Sequence, residues 1–77
     1  MPHFTVKLFP GKSDEQKKAL TKKIVEATKE TLEVGEDVIS LTFEEVTPDD
    51  WEAKVTKVDI LPKKDHLYTR VLFKNIA

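Results

Sequence analysis

The chain has 77 residues, of which 39% are hydrophobic and 35% charged, and this composition predicts one small domain with a thin core. It has no cysteine, which excludes disulfides and thiolate metal sites, and its two histidines lie far apart, so no metal site is expected. The net charge of −1 argues against nucleic-acid and membrane-surface partners, and the absence of a long apolar run or a visible signal peptide predicts a cytoplasmic protein without membrane spans.

The first predicted element is a strand, because apolar and polar residues alternate over residues 4–8. Pro10 and Gly11 form a turn signal that ends it. Pro2 lies directly before this strand. Removal of Met1 would turn Pro2 into a secondary amine on an extended segment, where it could serve as a general base.

A helix is predicted over residues 14–33. Ser13 and Gln16 have the spacing of a capping box, with acidic residues in the first turn. Gly35 is placed where a helix needs a C-terminal cap. The apolar stripe expected to face the core consists of Leu20, Ile24, Ala27, Thr31 and Leu32.

The same helix carries lysines that fall mostly outside the stripe, and they offer an alternative hypothesis of nucleic-acid binding. Two glutamates, Glu26 and Glu30, interrupt the lysines, and no aromatic residues lie between them. A solvated helix face is therefore the favoured interpretation. The lysines are Lys17, Lys18, Lys22, Lys23 and Lys29.

A second strand is predicted over residues 38–46, where Ile39, Leu41 and Phe43 alternate with polar residues. Strand, helix and strand make a βαβ unit, whose two strands should be parallel with a right-handed crossover. The helix covers one face of this small sheet, which is not stable alone. We expect the other face to pack on a second copy, so that the single domain over residues 1–77 forms a homo-oligomer.

The rest of the chain is predicted to contain a turn and helix cap at residues 47–50 and a short helix over residues 51–61. The helix presents Trp51, Val55 and Val58 on one side, with Leu61 near its end, and Pro62 is expected to end it. Alternation over residues 66–73 favours a short strand in this C-terminal extension.

Four segments together resemble the 4-oxalocrotonate tautomerase family: Met-Pro before an alternating strand, PGKSDEQK at 10–17, EEV at 44–46 and PDDW at 48–51. The resemblance runs from residue 2 to about residue 51. The further residues are similar to a longer branch of the family whose members form dimers. The implied fold is α/β (α+β), a βαβ unit with a short second helix, in which two units pack across the oligomer interface.

The resemblance also implies roles for particular residues. Pro2 matches the N-terminal proline that moves the proton, and Lys12 falls where many members have an arginine that binds the substrate carboxylate. Trp51 falls at an aromatic wall of the pocket. Ser40 replaces a second arginine of the best-studied members, which polarises the substrate carbonyl, and Arg70 is a candidate to replace that cation. His3 is expected on the opposite face of the strand, without a catalytic role.

The predicted function is a cofactor-free keto–enol tautomerase acting on small 2-oxo or enol acids as a homodimer. Its base must be unprotonated, whereas an ordinary α-amino group titrates at about 7.7–8.0, so a nearby cation and a dry pocket are needed. Alternatives are a non-catalytic oligomeric binding or scaffold module, and the related hydratase or dehalogenase chemistry. If Met1 is retained, Pro2 has only an amide nitrogen and the base does not exist.

Overall fold

The computed structural model describes residues 1–69, and the strands and helices follow the predicted βαβ order. The elements are β1 (His3–Leu8), α1 (Asp14–Leu32), a 3-10 helix (Glu36–Val38), β2 (Ser40–Glu45), α2 (Pro48–Trp51), a π-helix (Glu52–Ile60) and a second 3-10 helix (Leu61–His66). The chain divides into two compact units: Met1–Thr47, and a second unit that begins at Pro48. Within the described residues, no helix is both long enough and apolar enough to span a bilayer.

The two strands pair in parallel, as the sequence predicts for a βαβ unit. The register runs from His3 opposite Ser40 to Leu8 opposite Glu45. Side chains on a strand alternate between faces, so one face of the sheet carries half-buried apolar residues. The other, which we call the polar face, carries His3, Thr5, Lys7, Ser40, Thr42 and Glu44, of which all but Lys7 are exposed.

Helix α1 begins with the predicted capping box. The Gln16 amide donates to the Ser13 hydroxyl at 3.1 Å, and the Ser13 amide donates to the Gln16 side-chain oxygen at 2.9 Å. Asp14 and Glu15 lie in the first turn, next to the positive end of the helix dipole. Local sequence therefore determines where this helix starts.

The side of α1 that packs inward differs from the predicted apolar stripe. Of the predicted residues, only Ile24 is half-buried; Leu20 and Leu32 are 41% and 56% exposed. The most buried residue of the helix is Thr28, whose hydroxyl donates to the Ile24 carbonyl at 2.7 Å. Because the preceding turn satisfies this hydroxyl, its methyl side can pack like that of an apolar residue. The inward residues are Lys17, Thr21, Ile24, Val25 and Thr28.

The cap predicted at Gly35 is wrong. Helix α1 ends at Leu32, and its C-cap is Glu33, which adopts the left-handed conformation with φ of 55° and ψ of 50°. Gly35 has an extended backbone, with φ of −80° and ψ of 157°, and precedes the 3-10 helix. That short helix includes Val38, so β2 starts at Ser40 and is shorter than the alternation of residues 38–46 predicts.

The second unit consists of short helices between Pro48 and His66, with a kink at Lys63, and the predictions for this segment are partly wrong. Pro48 opens α2 instead of forming a turn, which its fixed φ and missing amide hydrogen permit at a first helical position. The π-helix then closes with the Leu61 amide donating to the Thr56 carbonyl. Pro62 follows near the start of the next helix, where its missing hydrogen costs nothing, and the helical winding breaks one residue later at Lys63, with φ of −113° and ψ of 18°.

Burial in the second unit centres on two adjacent residues. Val55 is 4% exposed and Thr56 is 3% exposed, whereas Val58 and Leu61, expected on the same side as Val55, are 56% and 45% exposed. A wider π-helical turn shifts side chains away from their 3.6-residue positions. The apolar side that was predicted with the α-helical period of 3.6 residues is therefore not found in this segment.

The strand predicted over residues 66–73 is wrong where the structure describes it. His66 ends the 3-10 helix, and Tyr68 lies in a bend and is fully exposed. Alternation alone does not make a strand, because a strand needs a neighbouring strand edge for its backbone hydrogen bonds. Residues 70–73 of this prediction lie outside the described residues.

Candidate active site

Pro2 lies directly before β1 and is hydrogen-bonded to the first residue of β2. The Ser40 amide donates a hydrogen bond to the Pro2 carbonyl oxygen, with an N···O distance of 3.1 Å. Proline has no amide hydrogen, so its carbonyl is the backbone group that can join the sheet. Pro2 is half-buried, whereas Met1 is 95% exposed. The Pro2 nitrogen is an amide while Met1 is attached, and loss of this exposed residue would make it a secondary amine.

Two side chains next to Pro2 form a short hydrogen bond across the strands. His3 Nδ1 and Ser40 Oγ are 2.6 Å apart, and the two residues are register partners on the polar face. Thr5 Oγ1 lies 3.4 Å from the other ring nitrogen of His3, Nε2. Pro2, His3 and Ser40 therefore form one hydrogen-bonded cluster at the N-terminal end of the sheet.

Lys12 lies at the opposite end of β1 from Pro2. The strand between them has six residues, which at about 3.3 Å each span roughly 20 Å. Lys12 instead lines a cavity of about 200 Å³ with Leu8 and Phe43, on the apolar side of the sheet. Within one chain, the structure does not bring Lys12 to Pro2.

The remaining predicted site residues fall outside the first unit. Trp51 ends α2 and is half-buried in the second unit. Arg70 lies outside the described residues. Of the five predicted site residues, the structure joins Pro2 and Ser40 within the chain.

A larger groove of about 540 Å³ runs beside α1, and its lining has charges of both signs. Lys17 at its edge is paired with Glu45 of β2, Nζ to Oε2, at 2.9 Å. A groove whose lysines are interleaved with carboxylates, and one of whose lysines is already paired, makes a poor phosphate-binding surface. The charged lining residues are Asp14, Lys17, Lys18, Lys22, Glu26, Lys29 and Glu36.

The residues linked to Pro2 include no group of side chains suited to a metal ion. Among residues 1–69, no three histidine, aspartate or glutamate side chains come together in a group that could hold a metal ion. The chemically active groups of the cluster are one imidazole, one hydroxyl and the nitrogen that removal of Met1 would uncover.

Comparison with known proteins identifies the family. A family model described as tautomerase enzyme matches residues 2–59. The chain belongs to the tautomerase family. The match begins at Pro2, and it includes β1, α1, β2, α2 and most of the π-helix. Membership makes the chain a tautomerase-type enzyme, that is, an isomerase.

Two relatives show how far the tautomerase similarity extends. A tautomerase PptA of Cronobacter sakazakii is 35% identical over 68 residues, which cover 87% of this chain and 90% of the relative. A 2-hydroxymuconate tautomerase of Bacillus subtilis is 45% identical over 49 residues, covering 64% of this chain and 79% of the relative. The similarity to PptA therefore includes part of the C-terminal extension.

Solved structures support the fold. The crystal structure of YwhB, a homologue of 4-oxalocrotonate tautomerase, matches with a TM-score of 0.60 and 44% identity over 62% of this chain and 79% of its own. TomN, a homologue from the tomaymycin biosynthetic pathway, matches with a TM-score of 0.62 and 30% identity, covering 65% and 77%. The resemblance to the 4-oxalocrotonate tautomerase family and the α+β fold that it implies are confirmed.

Sequence reasoning missed the contact between His3 and Ser40. The expectation that His3 points away from the apolar side of β1 is correct for the strand, since His3 lies on the polar face. Its significance depends on the register, which places Ser40 directly opposite. A parallel alignment of the two alternating segments would have paired their polar residues and revealed the contact.

Proposed function

We propose that this tautomerase interconverts the keto and enol forms of small 2-oxo acids without a cofactor, with Pro2 as the general acid and base after Met1 has been removed. The observation that carries the proposal is the match to the tautomerase family beginning at Pro2, a residue whose carbonyl is hydrogen-bonded into the sheet. A residue fixed in this way can hold its nitrogen in a constant orientation toward a substrate.

The proton transfer has a simple sequence. The unprotonated Pro2 amine takes a proton from the enol oxygen or from carbon, and the resulting ammonium returns a proton to another carbon. The negative charge that develops on the substrate oxygen needs a hydrogen-bond donor. Ser40 stays our candidate from its position in the sequence, although its hydroxyl is bonded to His3 on the polar face and its link to Pro2 runs through the backbone amide.

Substrate binding in this proposal uses two copies of the chain. Lys12 is the candidate partner of the substrate carboxylate, as a point charge, yet it lies at the far end of β1 from Pro2. A second copy that brings its own Lys12 to the Pro2 end would complete the pocket. We therefore propose a homodimer with shared sites, in which Trp51 contributes an aromatic wall and Arg70 a further cation. Cytoplasmic location also stays a prediction.

The decisive test is an enol assay on protein whose N-terminus has been verified by mass spectrometry. Protein beginning at Pro2 should accelerate ketonisation of phenylenolpyruvate, followed by loss of enol absorbance. Substitution Pro2→Ala should lower the rate by roughly 10²–10⁴, the usual contribution of a positioned base. Protein that keeps Met1 is the matched control, and it should be as slow as the variant. No acceleration by protein with a free Pro2 would refute the proposal.

One observation favours a second candidate function, a non-catalytic binding module on the same fold. Ser40 stands where the resemblance expects a second arginine that polarises the substrate carbonyl, and a site without that cation is less suited to catalysis. The module predicts that a reactive 2-oxo acid analogue does not label the N-terminal residue of the native protein. Hydratase or dehalogenase activity would instead appear as water addition or halide release with the corresponding unsaturated acids.

A further inference from the structure

We propose that His3 is a positioning residue for Pro2, acting through the side chain and the amide of Ser40. The inference rests on the proposed function, because it assigns a role within the same site. His3 is not a catalytic residue in this scheme. It fixes the residue to which the Pro2 carbonyl is hydrogen-bonded.

The geometry gives Ser40 two links to the start of β1. Its hydroxyl oxygen lies 2.6 Å from His3 Nδ1, and its amide donates to the Pro2 carbonyl at 3.1 Å. Pro2 precedes the first residue of β1 and is held there by this one bond to β2. End positions of a sheet fray readily. A cross-strand side-chain bond at the same residue opposes that fraying.

The side-chain link has the property that a positioning contact needs. A serine hydroxyl both donates and accepts, whereas a ring nitrogen of histidine donates in one tautomer and accepts in the other. The bond between His3 and Ser40 can therefore form with either neutral tautomer. It can also form with the protonated imidazole, where Nδ1 donates. The link does not require one ionisation state of His3.

The surroundings of His3 indicate which of its two ring contacts matters. The contact of Nε2 with Thr5 is 3.4 Å long and joins two residues of the same strand. The contact of Nδ1 is 0.8 Å shorter (3.4 against 2.6 Å) and joins the two strands. We assign the positioning role to the Nδ1 side of the ring. The contact of Nε2 with Thr5 only helps to orient the imidazole ring.

The test compares three substitutions in protein that begins at Pro2. His3→Phe keeps an aromatic ring but removes the hydrogen bond, and we expect kcat to fall about tenfold with KM changed less than twofold, because misplaced reacting groups lose rate. His3→Asn keeps a polar atom near the Nδ1 position and should restore kcat to within about threefold of the parent. Thr42→Val, on the same exposed face, is the control and should leave kcat unchanged.

A second measurement makes the inference independent of catalysis. Hydrogen exchange of the Ser40 amide reports the bond to the Pro2 carbonyl directly. It should be at least about fivefold faster in the His3→Phe protein than in the parent, while the Phe43 amide keeps its rate. An unchanged Ser40 exchange rate, or equal kcat values for His3→Phe and parent, would overturn the positioning role. Failure of the proposed function would instead appear as an inactive parent protein.

Discussion

At the scale of single residues, the candidate site is built from ordinary groups whose value depends on placement. The ring of Pro2 fixes its φ, and the Ser40 amide is hydrogen-bonded to its carbonyl. The sequence singled out Pro2 by its match to the family's N-terminal proline and Ser40 as a departure at the position of a second arginine, and their roles stay predictions. It did not predict the pairing of His3 with Ser40, because the register between strands that are far apart in the chain is not a local property.

The role of Lys12 can be tested by removing its charge or by replacing its ammonium group with a guanidinium group. Lys12→Ala should raise KM for a 2-oxo acid about tenfold with a smaller change in kcat, because a carboxylate partner binds ground and transition states alike. Lys12→Arg should lower KM below that of the parent, since a guanidinium binds a carboxylate through two bonds. Lys23→Ala, an exposed lysine in the middle of α1, is the control. Steady-state kinetics that give one KM for all four proteins would exclude Lys12 from the site.

At the scale of elements, features encoded by neighbouring residues were predicted and features set by packing were not. The capping box of α1 and the parallel βαβ order follow from local sequence. The buried side of α1 does not, because Thr28 packs inward once the helix itself satisfies its hydroxyl. The π-helix before Pro62 was likewise not predicted. The prediction placed apolar residues on one side by assuming 3.6 residues per turn, and a π-helix has a wider turn.

The capping box should account for a measurable part of the stability of this small protein. Ser13→Ala removes the acceptor of the Gln16 amide, which should lower the free energy of unfolding by about 1 kcal/mol. Ser13→Asp keeps an acceptor and adds a favourable charge at the helix start, so it should match the parent or exceed it. Urea unfolding followed by circular dichroism measures both. Because Ser13 is exposed, its substitution by alanine removes the cap without disturbing buried packing. An equal urea midpoint for Ser13→Ala and parent would therefore mean that the cap contributes nothing to stability.

At the scale of the whole molecule, the sequence predicted the family, which is confirmed, and a homodimer, which stays a prediction. The described sheet has two strands, and a sheet of that size is marginally stable without further packing. Its uncovered face is polar rather than apolar. A polar face offers little apolar area to bury, which does not favour the expected packing of this face on a second copy. In our proposal the second copy supplies the Lys12 that the chain does not bring to its own Pro2.

Shared sites predict that the inactive Pro2→Ala and the impaired Lys12→Ala restore activity at low substrate when they are combined. In a dimer of one Pro2→Ala chain and one Lys12→Ala chain, one site carries both defects and the other carries neither. Unfolding and refolding the two variants together in equal amounts should make about half of the dimers mixed, and so restore about a quarter of the parent activity. The controls are the two variants refolded separately. Pro2→Ala should stay inactive, and Lys12→Ala should stay impaired at low substrate. Activity equal to the mean of the two controls would mean that each chain builds its own complete site, and sedimentation showing a folded monomer would exclude sharing altogether.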